Sequence, residues 1–196
     1  MKTNYISILL IIFNISLSSA QTKWIVDMAH SKVMFTVSHM VISEVTGHFG
    51  EFDAVLIQKG KDFENSELSA TINTKSINTD NEKRDDHLRS PDFFDIEKHP
   101  EITFVSKTFV KTGKDKYKIT GDLTIRGVSK TVVLDTKFNG QITDPWGNTV
   151  SGFKAKTKIN RKDFGVVWNK TLETGGLLVG NEVEVTITVE MKKVVE

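Results

Sequence analysis

Glu182-Val183-Glu184-Val185-Thr186-Ile187-Thr188-Val189-Glu190-Met191 decides the fold. Apolar side chains take every second position, and glutamate or threonine the positions between. Successive side chains of an extended chain point to opposite faces, so this is a strand with one oily face and one wet face. The same period recurs upstream. Val33, Phe35, Val37 and His39 share one face against Met34, Thr36 and Ser38, and Leu68, Ala70 and Ile72 alternate with Ser69, Thr71 and Asn73. Ile102 and Phe104 open a strand after His99-Pro100. Tyr117, Ile119, Gly121, Leu123 and Ile125 alternate with Lys116, Lys118, Thr120, Asp122 and Thr124. Val132, Leu134, Thr136 and Phe138 follow, and Phe153, Ala155, Thr157 and Ile159 oppose Lys154, Lys156 and Lys158.

Turn-forming runs separate these segments: Lys59-Gly60-Lys61, Thr112 to Asp115, Gly127-Val128-Ser129 and Asp144 to Asn148. Roughly eight long antiparallel strands result, with Trp24 to Val26 as a short addition. A sandwich and a closed barrel both satisfy the pattern. The long strands, and the removal of exposed edges that closure brings, favour the barrel. An outer-membrane barrel would need its apolar residues facing lipid. Here the outer face would carry Lys154, Lys156, Lys158, Glu182, Glu184 and Glu190, and a charge at the bilayer midplane costs ~2–4 kcal/mol. The charged face therefore meets water, and no stable membrane insertion is expected.

One segment breaks the strand rhythm. In Arg84-Asp85-Asp86-His87-Leu88-Arg89-Ser90-Pro91-Asp92-Phe93-Phe94, Arg84, His87 and Leu88 fall on one face of a short helix near residues 80–90. Asp80 suits the N-cap, and Pro91 ends the helix near Ser90. Such a helix could be a lid over a barrel interior or a plug in its end.

These segments resemble the YceI-like family of bacterial polyisoprenoid-binding proteins. The resemblance rests on Arg84-Asp85, His87 to Ser90 and Asp92 to Asp95; Asp27 with His30-Ser31; Phe35 to His39; Gly47 to Phe49; Gly121 to Val128; and Arg161 with Asp163-Phe164-Gly165. They occur in collinear order from about Trp24 to Val189. The resemblance implies an all-β, eight-stranded antiparallel lipocalin-like barrel, secreted or periplasmic, that holds long apolar chains inside.

The chain's start points to the same compartment. Lys2 precedes an uncharged, mostly apolar run from Tyr5 to Leu17, which ends in Ser18-Ser19-Ala20 before Gln21. This is the layout of a signal peptide over residues 1–20, cleaved after Ala20, leaving one domain over 21–196. As a membrane anchor the run is shorter than the ~20 residues a span needs, and Asn14 and Ser16 interrupt it. The chain has no cysteine, which excludes disulfides, a thiol nucleophile and a cysteine metal site. Export without disulfides suits a periplasm. The formal charge is +1 over 196 residues, and losing Lys2 brings it near zero, so nothing favours nucleic acid.

Side chains can fill an eight-stranded barrel or leave room for one ligand. Both readings stay open from pattern alone. The inward face is interrupted by Ala70, Gly121, Thr136, Ala155 and Thr157, and Phe93, Phe94, Phe104 and Phe164 are placed to flank an opening, which favours a cavity. Its apolar wall is expected from Phe35, Val37, Leu68, Ile72, Leu88, Phe94, Phe104, Leu123, Leu134, Phe138, Phe153 and Ile187. The expected guest is a long-chain lipid, a polyisoprenoid, isoprenoid quinone or similar amphiphile, and no cofactor is expected. His39, Arg84 and His87 are the polar candidates for a head group. Their competing roles are structural: Arg84 pairing with Asp85 or Glu82, and His87 satisfying a loop carbonyl. Phe49, Gly50 and Phe52 mark a candidate bulge. Trp146 and Trp168 fit either an opening or the barrel's outside.

Catalysis finds little support. The five histidines lack metal-ligand spacing. Asp27 with His30-Ser31 offers acid, base and nucleophile, but reads as a turn before the first long strand, not as a relay. The competing functions are a lipid-acting hydrolase or metalloenzyme, and a solid-core interaction module. An incompletely closed barrel edge would support a homodimer.

Overall fold

The structure is a computed structural model that describes residues 21–171, 173 and 175–195. The expected signal peptide, 1–20, lies outside the described residues. The strands are β1 (Thr22–Val26), β2 (Lys32–His39), β3 (Ser43–Phe49), β4 (Phe52–Gln58), β5 (Glu67–Asn73), β6 (Ile77–Asn78), β7 (Glu101–Gly113), β8 (Lys116–Ile125), β9 (Val128–Thr143), β10 (Thr149–Asn160) and β11 (Val179–Lys193). One α-helix, α1, spans Glu82–Arg89.

Neighbours β4-β5-β7-β8-β9-β10-β11 pair in antiparallel order, and β1 bridges the two ends of that sheet. Trp24 pairs with Lys193 on one side and Leu56 on the other. The ring so closed has eight strands, as expected, although β2, one of the alternating segments, lies outside it and β4, which shows no clear alternation, lies within it. Strand β11 is long enough to serve two partners. Its last residues pair with β1, while Val179 to Thr188 pair with β2. Strands β2, β3 and β6 thus form a flap extending from β11 at one end of the ring. Arg89 ties α1 to this flap, donating from Nη2 to the Ile77 carbonyl at 2.8 Å.

Alternation supplies two buried apolar clusters. At the end away from the flap, Trp24, Leu56, Phe109, Tyr117, Phe153 and Met191 pack around Phe63. The Phe63 ring centroid lies 4.8 Å from that of Phe153 and 5.2 Å from that of Phe138, which plugs this end. At the flap end, Val33, Phe49, Phe52, Ile77, Phe93, Ile102, Ile125 and Phe164 pack together.

Two local expectations are corrected. Asn81, not Asp80, caps α1, its side chain accepting from the Arg84 N–H at 3.0 Å. Asp80 sits at φ 59°, in the left-handed region, and its N–H donates to Asn78 Oδ1 at 2.7 Å. Phe49 to Phe52 is no bulge but the corner between β3 and β4. There the Gly50 and Glu51 N–H groups donate to the Ser76 carbonyl and Oγ, each at 3.1 Å. The ladder's register shifts fall instead at places such as Ser106/Thr108 and Gly152/Phe153.

Candidate functional site

Between the two apolar clusters the barrel encloses a cavity of about 240 Å³. Its wall follows from the inward face of the alternation. Phe35, Val37, Leu68, Ile72, Leu88, Phe94, Phe104, Leu123, Leu134, Phe153 and Ile187 all line it. Ala54, Ala70, Thr136, Ala155 and Thr157 line it too, and their small size leaves space unfilled between the larger groups. Phe138 faces inward but sits deeper, in the plug, with its ring centroid 5.3 Å from that of Phe153. No polar atom is exposed on the wall. A surface of this kind offers burial to hydrocarbon and no directional bond to a polar group.

The polar candidates lie off this wall. Arg84 donates from Nε to Thr79 Oγ1 and from Nη2 to the Thr79 carbonyl, both at 2.7 Å. The Asp85 carboxylate accepts from the Thr79 N–H and hydroxyl at 2.9 and 2.5 Å. Arg84 therefore ties α1 to the end of β6 through Thr79, rather than pairing with Asp85 or Glu82. His87 pairs not with a loop carbonyl but with Asp92 Oδ2, at 2.9 Å from Nε2. Its ring stands edge-on to Phe93 and Trp168, with centroids 5.0 and 4.8 Å away. His39 ends β2, opposite Ser43 and Val179. Of the helix face, Leu88 alone reaches the cavity wall. Trp168 covers the flap end from outside Phe93, whereas Trp146 is exposed in the turn at the plugged end.

Arg161 stands in a motif of the sequence that assigns it no role. It lies on the one-turn 3-10 helix Arg161–Phe164 and is 6% exposed. Nε donates to the Gly180 carbonyl at 2.8 Å, and Nη1 to the Val166 and Trp168 carbonyls at 2.7 and 2.9 Å. Among the described residues it pairs with no carboxylate. Burial lowers its pKa, and the carbonyl dipoles take the place of a counterion. Its partners place it as the staple that holds Val166, Trp168, Val179 and Gly180 together over the flap end. No signal in the sequence could have shown this, because backbone carbonyls carry no residue code.

A second polar cluster lies outside the barrel. Asp27, His30 and Glu190 bring potential metal ligands within reach of one another. Lys192 Nζ already stands 2.8 Å from Asp27 Oδ2, and His30 Nδ1 stands 3.0 Å from it. The Lys192 bond, then the His30 bond, hold the Asp27 pKa at about 2. The ammonium sits where a cation would have to go. The Ser31 hydroxyl turns away to the Glu190 backbone, accepting from its N–H at 3.0 Å, so acid, base and hydroxyl form no relay. Among the described residues no helix is long and apolar enough to cross a membrane.

Comparison with known proteins gives a concordant picture. A UPF0312 protein of Staphylococcus aureus (strain MRSA252) is 39% identical over 170 residues, 86% of this chain and 96% of the relative. The YCEI protein of Campylobacter jejuni superposes with a TM-score of 0.68 at 36% identity, covering 79% of this chain and 88% of its own. BcnA of Burkholderia cenocepacia superposes with a TM-score of 0.74 at 26% identity, covering 84% and 98%. A polyisoprenoid binding domain from Saccharophagus degradans shares the fold at 16% identity, with a TM-score of 0.62 and coverage of 86% and 97%. The family model described as YceI-like domain matches residues 24–191, and the chain belongs to that family.

Proposed function

We propose that this protein is a non-catalytic carrier or store for a long-chain apolar lipid, a polyisoprenoid, isoprenoid quinone or similar amphiphile, held inside the barrel. The single observation that carries the reading is a cavity whose wall exposes no polar atom. Burial contributes ~0.8 kcal/mol for each methylene-sized group, so a tail binds tightly by length alone. Ordering that tail opposes binding. A polar head meets no exposed polar atom on the wall and stays toward the flap end, where Arg161 is the charged residue of the lining and His39, Arg84 and His87 lie off the wall. The barrel then replaces the membrane as solvent for the tail. The leader read at residues 1–20 supports action in the periplasm. The Saccharophagus domain, described as binding polyisoprenoid, supports the guest class by fold alone.

Organic extraction of natively purified protein, followed by mass spectrometry, tests the reading. An apolar guest in stoichiometric amount is expected. An empty extract, with no uptake of added polyisoprenoid alcohols, would overturn it.

A further inference from the structure

We propose that the turn Met40-Val41-Ile42, between β2 and β3, is a membrane-docking tip. It enters the outer hydrocarbon of a lipid bilayer so that a guest passes between bilayer and cavity. The inference rests on the lipid-carrier reading. Val41 is 71% exposed and Ile42 85%, so neither packs against the fold. Met40 and Val41 also hold φ of 53° and 66°. A β-branched residue in the left-handed region sets its Cβ against the following carbonyl, and asparagine or glycine would suit such a turn better. Folding alone thus favours a polar turn here twice over, by solvation and by backbone geometry. The sequence keeps three apolar residues instead.

Position links this tip to the cavity. The Met40 N–H donates to the Leu178 carbonyl at 2.9 Å, and His39 pairs with Val179. Val37, Val179 and Val183 belong to the cavity wall. The apolar wall therefore runs up to the base of the tip. Exposed Ser38, Ser43 and Glu44 flank it, which limits entry to a single turn. Three residues cannot bury the ~800 Å² per partner that a specific protein interface needs. A bilayer sets no such minimum and takes the apolar area offered. A second exposed apolar site, Trp146 in the β9–β10 turn with Ile142 near the end of β9, lies at the end plugged by Phe63 and serves as the control.

The test uses the full mature chain, phosphatidylcholine vesicles with and without phosphatidylglycerol, and a pyrene-labelled long-chain alcohol as guest. Uptake of probe dispersed in solution, cosedimentation with vesicles and transfer rate from vesicles are measured separately. Val41→Asn with Ile42→Ser is expected to raise the urea midpoint and leave uptake from solution unchanged. Cosedimentation and transfer from vesicles fall by about tenfold or more, the loss of two buried aliphatic side chains. Ile142→Ser with Trp146→Ser changes neither. Vesicle docking that survives the tip change overturns the proposal. So does wild-type transfer at a rate independent of vesicle concentration, or self-association that the tip change abolishes. Failure of the wild type to take probe from solution sinks the carrier reading instead, and cosedimentation still reports on the tip.

Discussion

The ring of Phe104 lies so close over Gly121 that a Cβ at residue 121 would come within 2.5 Å of its Cζ. The same arrangement recurs at the flap, where a Cβ on Gly47 would meet Phe35 Cζ at 2.4 Å. Phe35 and Phe104 both line the cavity, so each glycine leaves room for a ring of the wall. Gly121→Ala should therefore destabilise by about 1–3 kcal/mol, the usual cost of overpacking. Adding Phe104→Leu should recover only part of that loss, because the same Cβ would also meet the Val105 carbonyl oxygen at 2.5 Å. Urea unfolding of the two single variants and the double variant measures the coupling.

The cavity makes a contrasting pair of predictions. Phe104→Glu places a carboxylate on the apolar wall and should abolish uptake of a long-chain alcohol, whereas Lys156→Glu, on the exposed face of β10, should leave uptake unchanged. Ala70→Leu fills space instead of adding charge. Uptake should fall while the melting temperature holds or rises. Fluorescence titration beside thermal unfolding separates lost binding from lost fold.

Arg161→Met should destabilise by about 2–4 kcal/mol, since several buried carbonyls lose their donor. Lysine is expected to rescue little, because one ammonium cannot span the carbonyls that the planar guanidinium reaches. Equilibrium unfolding checks the size. Faster hydrogen exchange over residues 166–180 checks that the loss starts where the staple acts.

Asp27→Asn carries a pH signature. The Asp27 pKa is lowered from 3.8 to about 2, first by Lys192 and then by His30. Stabilisation from a depressed carboxylate is full above 3.8 and fades as pH falls through its folded value. The His30 pKa is raised from 6.5, chiefly by its bond to Asp27. That share is full below 6.5 and fades as pH rises through the folded value. The wild type should therefore exceed the variant in melting temperature most between pH 3.8 and 6.5, by less above that window, and by least near pH 2.

The barrel was legible because β8, β10 and β11 alternate cleanly, and because their charged face left only one side for the core. Alternation tells side but not height. Phe138 faces inward, yet it lies in the plug rather than on the cavity wall. Neither β3 nor β4 is legible as a strand, since Gly47 and the polar Ser43, Glu44 and Thr46 blur the period of β3, and Ala54 to Ile57 put apolar residues on both faces of β4. Asp80 and Asn81 are both good caps, and the backbone at Asp80 decided between them. Helical spacing grouped Arg84, His87 and Leu88, but Thr79 captures the first and Asp92 the second. Arg161 left no pattern because its partners are main-chain groups.

Strand β1 has wider consequences than its five residues suggest. It is the keystone between a strand just downstream and one at the far end of the chain, and the Val194 N–H donates to the Lys23 carbonyl at 2.8 Å. The ring cannot close until β11 has been made. Contacts so distant in sequence make for slow, all-or-none assembly. The adjacency also means that a short linker could join Val195 to Thr22, with new termini opened in the exposed turn at Asp144 to Asn148, and the circularly permuted domain would keep every rung of the ladder.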